Sequence, residues 1–274
     1  MVLYSIASGS SGNCIYVGLN NTKLLIDTGI SAKRIEEGLN SIDLSLSDID
    51  AVLITHEHSD HISGLKTVSK KHHLPLYATR GTLQEINKKN PDIDTALFHE
   101  IKCDREFTLK DILIDPIRIS HDAAEPVCYR FYSASCFDRA LRDRCESAAV
   151  CTDLGTYDDY IVDKLSGVSS ILLEANHDIK MLEAGPYPYY LKRRILGEKG
   201  HLSNDCAGEL LSELYNKGNL RSVLLGHLSK ENNYAALAFE TVRMQLNMLC
   251  GGQRERKLNI NIALRDAPVK PIYA

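Results

Sequence analysis

Four apolar runs in this chain each lead into a histidine or an aspartate, and that recurrence constrains the fold more than any other feature. Ala51-Val52-Leu53-Ile54 runs into Thr55-His56-Glu57-His58-Ser59-Asp60-His61, and Ile117-Arg118-Ile119-Ser120 into His121. Ala149-Val150-Cys151-Thr152 runs into Asp153, and Val223-Leu224-Leu225-Gly226 into His227. Short continuous apolar runs of this kind read as buried strands. Repeated placement of chemistry-bearing side chains just past such strands is what a single sheet edge lined with ligands would produce. Side chains presented at strand-to-helix turns sit on a rigid scaffold and face a cleft.

The first cluster is the densest, with four potential metal ligands in six positions: His56, His58, Asp60 and His61. In an extended turn, side chains two apart share a face, so His56 and His58 point the same way. Asp60 and His61 fall at the start of a helix that continues through Ile62, Leu65 and Val68, and they aim elsewhere. That geometry suits two adjacent metal ions better than one. His121, Asp153 and His227 supply the further donors a dinuclear site needs. Imidazoles suit zinc, iron and manganese, and carboxylates temper the charge and favour harder ions.

With 44% hydrophobic and 25% charged residues in 274, the chain has the composition of an ordinary soluble globular protein. It is long enough for a substantial core and shows no compositional break, so one domain over 1–274 is expected. The first residues lack the basic and apolar regions of a signal peptide. No apolar run is long enough to span a bilayer. A cytoplasmic protein without a membrane partner is therefore expected. Eight cysteines are present without a Cys-x-x-Cys pair, which argues against a zinc ribbon or a thioredoxin-like redox motif. They read as mostly buried free thiols. A net charge of −4 excludes a protein that coats nucleic acid nonspecifically. It does not exclude a nuclease, because a metal centre adds local positive charge that the formal count omits.

Along the chain, strands are expected at Leu3–Ala7, Cys14–Gly18 and Lys23–Ile26, then a helix from Ala32 to Leu39 capped by Ser31. The Ser8–Asn13 loop lacks the P-loop lysine pattern and reads as a hairpin connection. Further strands fall at Leu74–Ala78, Val127–Tyr132, Ala148–Thr152, Ser170–Leu173 and Val223–Leu225, and a hairpin at Phe107–Ile114. Helices fall at Thr82–Lys89, from Ser203 or Asn204 to near Gly218, and at Asn233–Leu249, before a closing strand through Leu258 and Leu264. Arg139–Glu146 is a charged insert, either a short helix or a loop. Early hairpins followed by strands alternating with helices suggest two sheets with helices outside, a four-layer α/β sandwich.

His-x-His-x-Asp-His, a later histidine, an aspartate within Thr152-Asp153-Leu154-Gly155 and a final Gly226-His227 resemble the metallo-β-lactamase superfamily. The likeness implies its αβ/βα sandwich with two mixed sheets and two divalent metal ions, zinc, manganese or iron, with no organic cofactor. Carried over residue by residue, His56, His58 and His121 hold one ion. Asp60, His61 and His227 hold the other, and Asp153 bridges. Asp27 orients the first motif rather than binding metal.

Glu174, and His201 in Gly200-His201-Leu202-Ser203-Asn204, resemble the proton relay of phosphodiesterase branches such as the tRNA 3′-end endoribonuclease. A nucleotide leaving oxygen benefits from such a general acid. The helix start after His201 would present backbone N–H groups to phosphate, through Ser203 and Asn204. His177 is a further candidate contact. Tyr187–Arg194, with Lys192 and Arg193, either stacks bases and grips a backbone or is core tyrosine beside a solvated basic face.

The combination of Ser-Gly-Ser-Ser-Gly-Asn at 8–13, Glu174-Ala-Asn-His-Asp and Leu191-Lys-Arg-Arg-Ile with these motifs is similar to the WalJ/YycJ group of bacterial proteins. That likeness implies a metal-dependent 5′→3′ exonuclease on duplex DNA. A hydroxide activated between the two metals, with Asp60 in the catalytic set, is its nucleophile, and His201 with Glu174 is its acid relay. The stretch 133–147 departs from the group in length. The alternatives are another dinuclear hydrolase, cutting RNA, a thioester or a lactam, and an iron-dependent oxidase.

Overall fold

The computed structural model describes residues 1–136, 145–250 and 258–274. Numbered in chain order, the strands of the first half are β1 (Val2–Ala7), β2 (Cys14–Leu19), β3 (Thr22–Ile26), β4 (Ala51–Leu53), β5 (Leu76–Thr79) and β6 (Phe98–Ile101). The second half holds β7 (Phe107–Leu109), β8 (Ile112–Arg118), β9 (Val127–Ser133), β10 (Ser147–Cys151), β11 (Ser170–Glu174), β12 (Ser222–Gly226) and β13 (Asn259–Ile262), followed by β14 (Ile272–Tyr273). Helices are α1 (Ala32–Asn40), α2 (Ser59–Ile62), α3 (Leu65–His72), α4 (Arg80–Lys89), α5 (Asp159–Leu165), α6 (Ile179–Ala184), α7 (Tyr189–Leu196), α8 (Asn204–Asn216) and α9 (Ala235–Leu249).

Two sheets result, ordered β14-β1-β2-β3-β4-β5-β6 and β13-β12-β11-β10-β9-β8-β7. Both are mixed and follow one plan. β1 to β3 pair antiparallel and β3 to β6 parallel. Likewise β7 to β10 pair antiparallel and β10 to β13 parallel. Parallel neighbours need crossover connections, and the helices supply them.

Burial alternates with the two-residue period of a strand. In β2, Cys14 and Tyr16 face the helices of the first half, while Ile15 and Val17 face the opposite sheet. In β11 and β12, Ile171, Leu173, Val223 and Leu225 pack under helices, while Leu172 and Leu224 fill the space between sheets. Three apolar layers thus separate four structural layers, the sandwich the strand pattern implied. Strands covered on both faces explain why these segments read as continuous apolar runs.

Some expectations need correcting. The helix expected to run on from Ile62 through Val68 is two helices, α2 and α3, parted at Gly64. A Cβ on Gly64 would lie 2.1 Å from the Ile30 carbonyl oxygen, so the chain turns where it presses on the preceding loop. Cys136 and Cys145, expected to be free thiols, form a disulfide with Cα atoms 6.5 Å apart. The antiparallel pairing of Tyr132 with Ser147 brings these positions together. Most of the expected charged insert at 139–146 lies outside the described residues. Among the described residues no helix is long and apolar enough to cross a membrane.

Candidate metal centre

Every expected ligand lies just past the end of a strand, in the turn that follows it or in the short helix α2. His56 and His58 occupy the turn between β4 and α2, while Asp60 and His61 lie in α2. His121 follows β8, Asp153 follows β10, Glu174 ends β11 and His227 follows β12. Because β8 and β10 to β12 run the same way, these ends gather at one edge of the sandwich. Asp27, Asp153 and His227 adopt left-handed backbone conformations, with φ of 61°, 60° and 54°. Each such residue costs about 1–3 kcal/mol and persists only where its surroundings hold it. Here the sharp turn at the strand end swings the side chain into the cleft.

The loop after β3 clamps the first motif. Asn13 N–H donates to the Asp60 carbonyl at 2.8 Å, Thr28 N–H to the His61 carbonyl at 2.8 Å, and Gly29 N–H to the Asn13 carbonyl at 2.7 Å. A Cβ on Gly29 would lie 1.6 Å from the Asp60 oxygen, so only glycine lets these segments meet. Asp27, fully buried, accepts from Thr55 N–H at 2.8 Å and from the Thr55 hydroxyl at 2.8 Å. Its Oδ2 also lies 2.7 Å from His61 Nδ1.

The side chains converge in two adjoining groups. His56 Nε2 lies 3.1 Å from His58 Nδ1, and His121 Nε2 lies 3.3 Å from that same atom. Beside them, Asp60 Oδ2 lies 3.6 Å from His61 Nε2 and 3.5 Å from His227 Nε2. Asp153 sits between the groups. Its Oδ2 is 3.1 Å from His61 Nε2, and its Oδ1 is 3.7 Å from His121 Nε2 and 3.6 Å from His227 Nε2. The donor atoms within each of these groups lie within 4.8 Å of one another, close enough to share an ion.

The residues behind the cluster set its chemistry. Three histidines meet acceptors through Nδ1: His61 on Asp27, His121 on the Gly200 carbonyl at 3.1 Å, and His227 on Glu174 Oε1 at 2.7 Å. An acceptor behind Nδ1 keeps the proton there and leaves the Nε2 lone pair aimed inward, the arrangement of metal-binding imidazoles. Asp153 Oδ2 and His227 Nε2 are buried without a hydrogen bond, although His61 Nε2 lies 3.1 Å from Asp153 Oδ2. Unpaired buried polar atoms are costly, and these two face the centre of the cluster.

Electrostatics agree. Burial works against charge on Asp153, yet His227 and His61 hold it well below the usual carboxylate range. Burial likewise opposes a charged His227, but Asp153, Asp60 and Glu174 raise it to about 10. His61 is raised in the same way by Asp153, Asp27 and Asp60, against burial. His56 is pushed well down by burial first and then by His61. The buried carboxylates thus draw positive charge to their centre, as protons on His61 and His227 when no ion is there, and this donor set fits divalent metal ions in their place.

Glu174 is fully buried, and its Oε1 faces His201 Nδ1 at 2.8 Å as well as His227. Its Oε2 accepts from Leu154 N–H at 2.9 Å and Leu202 N–H at 3.3 Å. The His201 side chain, 19% exposed, reaches the surface of the cleft. A cavity of about 630 Å³ opens beside His121, with Arg118, Tyr157, Tyr160 and Lys199 in its walls.

The expected substrate contacts fare unevenly. Asn204 is wholly buried and its amide pairs with Asn233, so it braces the scaffold and does not face a substrate. Ser203 is buried and caps α8 by accepting from Cys206 N–H. His177 is buried with neither ring nitrogen hydrogen-bonded; burial lowers it to about 4, so it is neutral at pH 7. Lys192 donates to the Glu183 carbonyl, and Arg193 lies exposed on α7. The Ser8–Asn13 loop forms the expected hairpin between β1 and β2 and also serves the site. Ser8 Oγ accepts from His227 N–H at 2.9 Å, and Asn13 Nδ2 lies 3.1 Å from His61 Nε2. Asn176 likewise donates to the His227 carbonyl. The signal for the loop was its run of small polar residues around glycine, which let the chain pass close beneath α2.

Residues 22–227 match the family model described as a beta-lactamase superfamily domain. The chain is 40% identical over 251 residues to exodeoxyribonuclease WalJ of Streptococcus pneumoniae, covering 89% of this chain and 87% of that protein. It is 35% identical over 241 residues to exodeoxyribonuclease YycJ of Bacillus anthracis, covering 88% and 87%. Among solved structures, the metallo-beta-lactamase fold protein YhfI from Bacillus subtilis superposes with a TM-score of 0.67 at 15% identity, covering 100% of this chain and 98% of that one. That last likeness is one of fold.

Proposed function

This chain belongs to the metallo-β-lactamase superfamily, in its WalJ/YycJ group, and we propose that it is a metal-dependent exodeoxyribonuclease that degrades double-stranded DNA from 5′ ends. The observation that carries the reading is the joint held by Glu174, one carboxylate oxygen facing both His227 inside the donor cluster and His201 at its mouth. A simple metal store has no use for such a joint; hydrolysis of a phosphodiester does.

Two divalent ions, zinc, manganese or iron, would be held by His56, His58 and His121 on one side and Asp60, His61 and His227 on the other, with Asp153 between. When bound, they would acidify water and offset the charge that builds on phosphorus. Asp27, Gly200 and Glu174 keep the histidine lone pairs turned inward. Burial alone would lower His201, but Glu174 and Asp153 raise it above its ordinary value. Raised in this way, His201 is better able to hold the proton that it donates from Nε2 to the departing sugar oxygen. Glu174, held down to about 2 chiefly by His201 against its burial, stays ionised throughout and steadies the imidazolium. Lys192 and Arg193 contribute charge along the path of the strand. On this reading the protein would act on DNA in the cytoplasm.

The test is digestion of end-labelled duplex DNA, single-stranded DNA and RNA by metal-free protein resupplied with manganese or zinc. Stepwise loss from DNA 5′ ends supports the reading, and hydrolysis of RNA alone, or of none of the three, contradicts it. His201→Ala is expected to keep its metal while turning over at least about 100-fold more slowly. Metal loss in that variant equal to loss in Asp153→Ala would remove the distinct role given to His201.

A further inference from the structure

Tyr189 and Tyr190 open α7 and are 75% and 74% exposed, the two most exposed large side chains among the described apolar residues. Each stands four residues before an arginine, so two parallel rows, Tyr189 with Arg193 and Tyr190 with Arg194, run along the helix. The Arg193 guanidinium lies 6.0 Å from the Tyr189 ring centre, at the edge of cation–π range.

The helix is tied at two points beside the donor cluster. Arg194 pairs with Asp122, the neighbour of His121, through contacts of 2.5 and 3.1 Å. At its far end, the Ile195 carbonyl accepts from His201 N–H at 3.0 Å. Tyr190 thus lies one helical turn, about 6 Å, beyond an arginine that is tied to the rim of the metal cluster. Charge points to a polyanion. Between Ile179 and His201 stand five lysines and arginines against two glutamates, in a chain whose net charge is −4.

We propose that Tyr189 and Tyr190 form a stacking platform for unpaired bases of the DNA strand entering the site. The inference rests on the nuclease reading and adds to it a preference for ends that carry, or can fray into, a single-stranded tail. Exposed aromatic faces flanked by cations bind unpaired bases irrespective of sequence, because every base offers a π-face while paired bases hide theirs in the stack. Arg193 grips the phosphates between stacked bases, and the anchored helix delivers the strand past Arg194 to His201.

The chain contains no tryptophan, so Tyr190→Trp creates a single fluorescent reporter. Tyr273→Trp, 69% exposed on β14 at the opposite end of the sandwich, is the control. The probe is a phosphorothioate duplex with a six-nucleotide single-stranded 5′ tail, compared with its blunt form, and binding is followed in parallel by anisotropy. The tailed probe is expected to quench the Tyr190→Trp emission at least twofold and to leave Tyr273→Trp unchanged. In turnover, Tyr189→Ala with Tyr190→Ala is expected to raise KM for tailed DNA about tenfold with kcat within twofold. Tyr189→Phe with Tyr190→Phe should restore the original KM.

Binding without quenching at position 190, equal quenching at 273, or an unchanged KM in the alanine variant would overturn the platform. So would the same KM rise on blunt and tailed DNA, which would mark the tyrosines as a general scaffold. If the wild-type protein cleaves no nucleic acid, the nuclease reading fails. If it digests blunt duplex normally while the tyrosine variants change nothing, only the platform fails.

Discussion

Replacing Glu174 with glutamine changes one atom at the point where the fold and the chemistry are joined. The carboxylate meets four donors from full burial: two histidine Nδ1 groups and the backbone N–H groups of Leu154 and Leu202. Glutamine offers one acceptor oxygen and one NH2. If the oxygen faces the histidines, the NH2 meets two backbone donors; if it faces the backbone, the NH2 meets two imidazole protons. Either way two buried donors lose their partner, at about 1–3 kcal/mol each.

The same quantity follows from titration. Against its burial, His201 and then His227 hold the Glu174 carboxyl down to about 2 from its ordinary 4.5. That difference is worth on the order of 3 kcal/mol of stability. A depressed carboxylate contributes fully above its unfolded value, and the contribution fades as pH falls from about 4.5 towards about 2. Both routes predict that Glu174→Gln lowers the stability of metal-free protein at pH 7 by about 3 kcal/mol, or roughly 6–10 °C in Tm. The wild type and the variant should converge in stability as pH approaches 2.

Activity supplies the second half of the test. Removing the carboxylate removes the larger of the two charges that raise His201, so the alkaline fall in rate should begin at lower pH in the variant. The measurements are urea melts of metal-free protein from pH 2 to 8 and pH–rate profiles of the metal-loaded forms. A variant within 0.5 kcal/mol of wild type, as for an ordinary surface change, with an unmoved alkaline limb, would refute the reasoning.

Other perturbations probe separate links. Asp153→Ala should lose metal and cleavage together, read by elemental analysis and digestion of labelled duplex, because it removes the carboxylate that, among the described residues, reaches both donor groups. Asp27→Asn should weaken metal binding about 10- to 100-fold while leaving the ligands in place, measured by competition with a chromogenic chelator. Leu172→Ala, in the layer between the sheets, should cost about 2–5 kcal/mol in a urea melt without altering metal affinity.

The strand ends and their ligands were legible because each ligand directly follows an apolar run, and burial on both faces made those runs continuous. Other features left weaker traces. β6 lies at a sheet edge with His99 and Glu100 exposed, so its sequence shows little alternation, and β14 spans two residues. The roles of Ser8 and Asn13 depend on contacts with residues far along the chain, His227 and His61; small polar residues around glycine show that the loop can pass close to another segment, not which segment it meets. Asn204 shows the opposite failing. Its place at a helix start suggested an open anion site, but its packing against Asn233 is set by tertiary structure. The exposure of Tyr189 and Tyr190 was equally hidden, since core and surface tyrosines look alike in a sequence.

The mechanism proposed for this protein needs a pair of metal ions acting together on a DNA end. It is tested most directly by adding manganese stepwise to metal-free protein while recording bound metal and the initial release of nucleotides from a 5′-labelled duplex. Two ions should bind per chain, with cleavage rising as the second one binds. Full activity at one bound ion per chain, or release independent of metal, would contradict it.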